Sequence, residues 1–361
     1  MTTHLAHIVA QANISRLSLI GLSKNVGKTT TTNKLLEMLL SEKLYRPEEL
    51  ALTSLGLDGE TTDALTGLPK PRYVPQAGLI VATTLDLLRQ AEQEGAQLKY
   101  LMQLPGRTAL GSVMLARVLH PGHIIIAGPT LLRDLRGALD CLQDYGVRLS
   151  IVDGAINRLG AAAPGITDAC IVCTGASAGA TPGLVARRTA DVLARLTVPQ
   201  TNWIDAYRKK LPQIRLLTFS LDEGEGTTEQ FSGLSEPASE ARWMVGHMQA
   251  SQRTIFLLRG AFTEELSREL LARLSQRSSD CEAEIVVGDG TKIFCHSVVL
   301  QRLAARGLRV RVADPIRILA LTINPYTPEY QCTPQRLLDV LVKELPAEHP
   351  PIIDVVSGLE E

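Results

Sequence analysis

Residues 16–36 read RLSLIGLSKNVGKTTTTNKLL, and this stretch decides the fold. Leu17 to Ile20 form a short apolar run. A loop with Gly21, Ser23, Asn25 and Gly27 follows, and Lys28 and Thr29 open a segment whose apolar residues recur at helical spacing. Strand, glycine-bearing loop and helix, in that order, are the setting of a phosphate-binding loop. Gly27 lets the backbone approach phosphates without a Cβ in the way. The amides from about Val26 to Thr30 then face an anion from the positive end of the helix. The expected nucleotide-binding residues are Asn25, Val26, Gly27, Lys28, Thr29 and Thr30. Lys28 is expected to reach the β and γ phosphates, and the Thr29 hydroxyl to ligate Mg²⁺.

The common form of this loop places its first glycine five residues before the second, where this chain has Leu22. Gly21 stands one residue earlier, so the loop GLSKNVGKT is one residue longer. That spacing resembles the loop of dethiobiotin synthetase and its relatives. In deviant-loop ATPases that dimerise across ATP, a signature lysine lies five residues before the loop lysine. Ser23 is at that position and Lys24 is one residue later. Lys24 therefore reads as a solvated loop lysine, with a homodimer left open.

Two further stretches supply carboxylates. Residues 50–55 (LALTSL) read as a strand leading into Gly56, Asp58, Gly59, Glu60, Thr61, Thr62 and Asp63. Open α/β sheets bind ligands beyond the carboxyl ends of their strands. This loop is expected to act like a switch, with Asp58 ahead of Glu60 near Mg²⁺ and Thr61 or Thr62 near the γ-phosphate. Residues 148–156 (RLSIVDGAI) are a hydrophobic strand ending in Asp153, the arrangement in which an acid holds Mg²⁺ directly or through water. Lys28, Asp153 and Asp58 are thus the expected catalytic residues, and Thr29, Asp153 and Asp58 the expected metal ligands. ATP and Mg²⁺ are the expected cofactors. Asn157 and Arg158 could line the site, and Arg133 and Arg136 could face a phosphate or be solvated. Cys170 and Cys173 form a C-x-x-C within a β-branched run and read as buried packing, since no second cysteine pair and no histidine stands near them.

With 45% hydrophobic and 21% charged residues, the chain reads as a soluble globular protein. A net charge of −1, no basic cluster and 4% aromatic residues argue against nucleic acid as the main partner. No apolar run approaches the ~20 residues of a membrane span, and the start lacks the pattern of a signal peptide, so a cytoplasmic protein is expected. At 361 residues the chain has room for two domains. The fold class expected is α/β: a P-loop NTPase domain over residues 1–205 with a mostly parallel but mixed sheet, and a smaller α/β domain over 206–361. The three consecutive strands expected between residues 98 and 127 make the sheet mixed. In the second domain, Gly288-Asp289-Gly290 between two apolar runs reads as a hairpin.

Taken together, GLSKNVGKTTT, TSLGLDGETTD, VPQAGLIVATT, HIIIAGP and VDGAINR resemble the P-loop subunit of the lysine 5,6-aminomutase reactivase, chiefly over residues 14–200. The resemblance implies an ATPase that works with a MutS-like partner to release damaged cobalamin from an adenosylcobalamin-dependent aminomutase. Two other readings remain open. One is a dethiobiotin-synthetase-like ligase that activates a small carboxylate, with polar residues around Thr83, Arg133 and Asn157. The other is a nucleotide-gated regulatory module that hydrolyses ATP slowly.

Overall fold

The computed structural model describes residues 5–58, 73–108, 110–154, 159–202, 216–221, 226–233, 235–248, 253–276, 282–327 and 332–361. It is an α/β protein built from two compact units. One comprises residues 1–190 with 317–361, the other residues 191–316.

In the first unit, apolar runs without polar alternation become strands buried on both faces, as a parallel sheet covered by helices requires. These are β1 (Arg16–Gly21), β2 (Leu50–Leu55), β4 (Ile80–Thr84), β8 (Leu149–Gly154) and β9 (Ala169–Gly175). The antiparallel pair β5 (Gln97–Thr108) and β6 (Gly111–His120) extends one edge. At the other edge lie β15 (Ile318–Asn324), β16 (Ile352–Asp354) and β17 (Leu359–Glu360). The order is β17-β16-β15-β9-β1-β8-β2-β4-β6-β5. Neighbours from β16 to β4 run parallel, and β4 with β6 is antiparallel, so the sheet is large, mostly parallel and mixed. Short α1 (Leu5–Gln11) precedes β1, and α2 (Lys28–Ser41) follows the glycine-bearing loop. Helices α3 (Leu85–Gln93), α4 (Leu132–Asp144) and α5 (Pro182–Leu196) follow later strands. Leu135, Ala138, Leu139 and Leu142 of α4 pack with Ala51, Ile80, Val113 and Val152 of the sheet in one buried cluster.

The second unit has a five-stranded sheet, β11-β10-β12-β13-β14, from β10 (Leu216–Leu221), β11 (Gly226–Gln230), β12 (Arg253–Leu258), β13 (Ala283–Val287) and β14 (Leu308–Val312). Its helices are α6 (Pro237–His247), α7 (Glu264–Leu274) and α8 (Ser297–Ala304). Phe256, Phe262, Leu270 and Val287 are at the centre of its core. Helix α7 starts on Thr263, whose hydroxyl accepts from the Leu266 amide and so satisfies one of the unpaired first-turn donors.

Three expectations need correction. Residues 317–361 do not belong to the second domain, because β15 pairs with β9 and the final helix α9 (Pro334–Glu344) follows it within the first unit. No hairpin forms at Gly288-Asp289-Gly290. The Asp289 carboxylate accepts from the Thr291 amide at 2.8 Å, which winds the chain into a 3-10 turn, and β13 pairs in parallel with β14 instead. Of the three consecutive strands expected between residues 98 and 127, the last shrinks to β7 (Ile126–Ala127), which pairs with β3 (Leu57–Asp58) outside the large sheet. Thr84 precedes α3 at the N-cap position, but its hydroxyl makes no capping bond.

Because β15 covers the edge of β9, ending the chain after Ile316 would leave a fully buried strand with an open row of amides and carbonyls. The truncated protein should aggregate or elute as higher oligomers in size-exclusion chromatography. A monodisperse truncation with native-like resistance to proteolysis would contradict this placement.

Candidate functional site

The loop of residues 21–27 lies at the carboxyl end of β1, between β9 and β8. It is held from three directions. The Leu22 amide donates to the Cys173 carbonyl at 3.0 Å. The Ser177 hydroxyl donates to the Lys24 carbonyl at 2.7 Å, and the Ser23 hydroxyl to the Ser177 carbonyl at 3.2 Å. The Asn324 amide group, at the end of β15, donates to the Asn25 carbonyl at 2.8 Å. Gly175 makes that last reach possible, since a Cβ there would lie 2.5 Å from the Asn324 carbonyl oxygen.

Gly27 has φ 88°, a left-handed backbone in which a side chain is strained, and a Cβ there would also crowd Asn324 at 3.2 Å. It occupies the N-cap position of α2 and has no side chain to cap the helix. The first-turn amides of α2 therefore have no cap from that position, as a helix end that receives an anion requires. Val26 is buried, Asn25 and Lys24 are exposed, and Thr29 and Thr30 are half-buried on the first turn. The exposed Lys24 fits its reading as a solvated loop residue.

Strands β1 and β8 are parallel neighbours with Leu19 opposite Asp153. That register brings the loop lysine and the strand-end carboxylate together. The Lys28 ammonium lies 3.1 Å from the Asp153 carboxylate, with Lys28 7% exposed and Asp153 fully buried. Lys28 also donates to the Gly154 carbonyl. The second Asp153 oxygen accepts from the hydroxyl of Tyr73, a fully buried residue. Thr31, one turn into α2, shares a hydrogen bond with Thr322 of β15 at 3.2 Å.

Asp58 is described in its backbone alone, which pairs with Ile126 in the short β3–β7 ribbon beyond β2. The Ser54 hydroxyl pins that ribbon, donating to the Gly56 carbonyl at 2.6 Å and accepting from the Gly128 amide at 3.0 Å. Glu60, Thr61, Thr62, Asp63, Asn157 and Arg158 lie outside the described residues. Arg133 and Arg136 are exposed, Arg133 beside Asp134 at 3.3 Å. Thr83 is committed to the backbone: it donates to the Ile125 carbonyl at 3.0 Å and accepts from the Ala127 amide at 2.8 Å.

Sequence reasoning missed Tyr73 and Asn324. Tyr73 lies in a proline-bearing stretch that gives no periodic signal. Asn324 falls within the range that the sequence assigned to the second domain. No family model and no curated protein matches this chain significantly. No helix among the described residues is long and apolar enough to cross a membrane.

Cys170 and Cys173 are both fully buried in β9. A spacing of three residues puts them on opposite faces of the strand, unsuited to sharing a bond or a metal. Burial pushes their thiols up, to about 12 for Cys170 and about 11 for Cys173, which suppresses the reactive thiolate. Among the described cysteines, alkylation of the native protein at mildly alkaline pH should therefore mark the half-buried Cys141 and Cys332 first. Peptide mass mapping should find Cys170 and Cys173 unmodified until denaturant is added.

Proposed function

We propose that this protein binds ATP with Mg²⁺ and hydrolyses it, and that the hydrolysis drives reactivation of an adenosylcobalamin-dependent aminomutase. The observation that carries the nucleotide reading is the buried Lys28–Asp153 pair, 3.1 Å apart at the carboxyl ends of adjacent parallel strands. A lysine at the start of a helix, a left-handed glycine before it and a strand-end carboxylate beside it are the parts a triphosphate site needs.

The donors fit a hard cation: a carboxylate from Asp153 and a hydroxyl from Thr29. Mg²⁺ commonly takes one or two carboxylates and fills its shell with phosphate oxygens and water. It therefore needs no cluster of three or more His, Cys, Asp or Glu side chains, and the described residues contain none. Bound there, Mg²⁺ would neutralise charge developing on the phosphates. Lys28 would turn from Asp153 to the β and γ phosphate oxygens, while the amides from Val26 to Thr30 hold the phosphates in place. Asp58 would supply a second carboxylate from the loop beyond β2.

The MutS-like partner and the aminomutase client rest on the motifs GLSKNVGKTTT, LDGETTD and VDGAINR together. A nucleotide cycle can move such a client only if the ATP-bound and spent states bind it differently. The ligase reading draws less support, because Thr83 is committed to the backbone and Arg133 is exposed.

Lys28→Ala should lower ATP hydrolysis by at least about tenfold, the expected loss when a cation is removed from a developing negative centre. Removing one member of a buried pair also destabilises, by about 3–5 kcal/mol in strong cases, so circular dichroism must show the variant folded. Hydrolysis at the wild-type rate in folded protein would end the nucleotide reading. Asp153→Asn should reduce the Mg²⁺ dependence of ATP binding more than binding without metal, in titrations run with and without Mg²⁺. A larger metal effect in Asp58→Asn would make Asp58 the principal ligand. For the client, an aminomutase inactivated during turnover should regain activity only with this protein, its MutS-like partner, hydrolysable ATP and fresh coenzyme. If ATP is instead consumed in proportion to an added carboxylate, the protein is a ligase.

A further inference from the structure

Tyr73 is a buried polar group that the proposed reaction does not use. Its ring is fully buried, and its hydroxyl donates to one oxygen of Asp153 while Lys28 takes the other. A buried carboxylate requires such partners, since an uncompensated charge away from water is strongly unfavourable. A metal ion at Asp153 would supply that compensation itself. Its positive charge would then compete with a hydroxyl already in place.

The backbone around Tyr73 suits a residue that yields. Tyr73 belongs to neither a helix nor a regular strand; an isolated bridge joins it to Ile124, whose amide donates to the Tyr73 carbonyl at 3.0 Å. The next residue, Val74, is 48% exposed. Residues 74–76 lie over α2 with a recess of about 310 Å³ between them, lined by Asn33, Leu36, Glu37 and Leu40. A residue outside regular secondary structure can shift without breaking a helix or a sheet ladder.

We propose that Tyr73 sets the metal affinity of this site by competing with the cation for Asp153, and leaves the carboxylate when the metal loads. This rests on the reading of Asp153 as a metal ligand, but not on which nucleotide or client the protein serves. The consequence is a site that stays satisfied when empty and takes metal only when the ion outcompetes a hydrogen bond to a charged acceptor.

The test uses Mn²⁺ as an EPR-visible stand-in, first without nucleotide and then with a non-hydrolysable ATP analogue. Tyr73→Phe keeps the ring and removes the hydroxyl. Losing a competing bond to a charged group should tighten Mn²⁺ binding by about tenfold. The gain should vanish in the Tyr73→Phe, Asp153→Asn double variant. Unchanged or weaker Mn²⁺ binding in folded Tyr73→Phe would overturn the proposal, and weaker binding would make Tyr73 an orienting partner of the carboxylate. A second measurement needs no loss of the hydroxyl. With 3-fluorotyrosine placed at position 73, the ¹⁹F resonance should shift when Mg²⁺ is added and stay fixed when Asp153→Asn is also present. A resonance unmoved by saturating Mg²⁺ would overturn the proposal as well. If Mn²⁺ binding follows expectation but no nucleotide binds, the ATPase reading falls while the role of Tyr73 stands.

Discussion

The buried ion pair between Lys28 and Asp153 is the constraint on which the rest of the site depends. A fully buried carboxylate is tolerated only with charge and hydrogen-bond partners, and Asp153 has both Lys28 and Tyr73. That pairing exists because β1 and β8 are parallel neighbours in a register that sets Leu19 opposite Asp153. A slip of one residue would turn the side chains of either strand to the other face.

Around that pair the loop is anchored by elements remote in sequence. Cys173 and Ser177 hold it from the β9 side, and Asn324 holds it from a strand that begins about 300 residues later in the chain. The last of these makes the first unit discontinuous: the chain leaves it within α5, builds the second sheet and returns with β15. The return extends the parallel sheet on the β9 side and brings Asn324 against Gly27, where the left-handed backbone favours glycine and a Cβ would crowd the Asn324 side chain. The geometry of the glycine-bearing loop is therefore set by segments far apart in the chain.

Much of this was legible in the sequence. Helix α2 spans residues 28–41 and β2 spans 50–55, as the apolar spacing and the glycine-bearing loop indicated. Asp153 was recognisable as a strand-end acid because β8 is one continuous apolar run that stops there. Such features are local: they depend on spacing within ten or fifteen residues, and the chain carries that information in order. The partners of those residues are another matter. Parallel strands are joined by long crossovers, so no short turn fixes which strand lies beside which. Nothing in ILALTIN says that it lies along β9 rather than in the second sheet, and nothing in PRYVP says that its tyrosine turns inward to a carboxylate 80 residues away. The sequence by itself determined a strand, a glycine-bearing loop, a helix and a strand-end carboxylate. Only the tertiary structure decided that Tyr73 and Asn324 stand with them, because both arrive through long-range burial and pairing, whose stabilisation has no periodic trace in the local sequence.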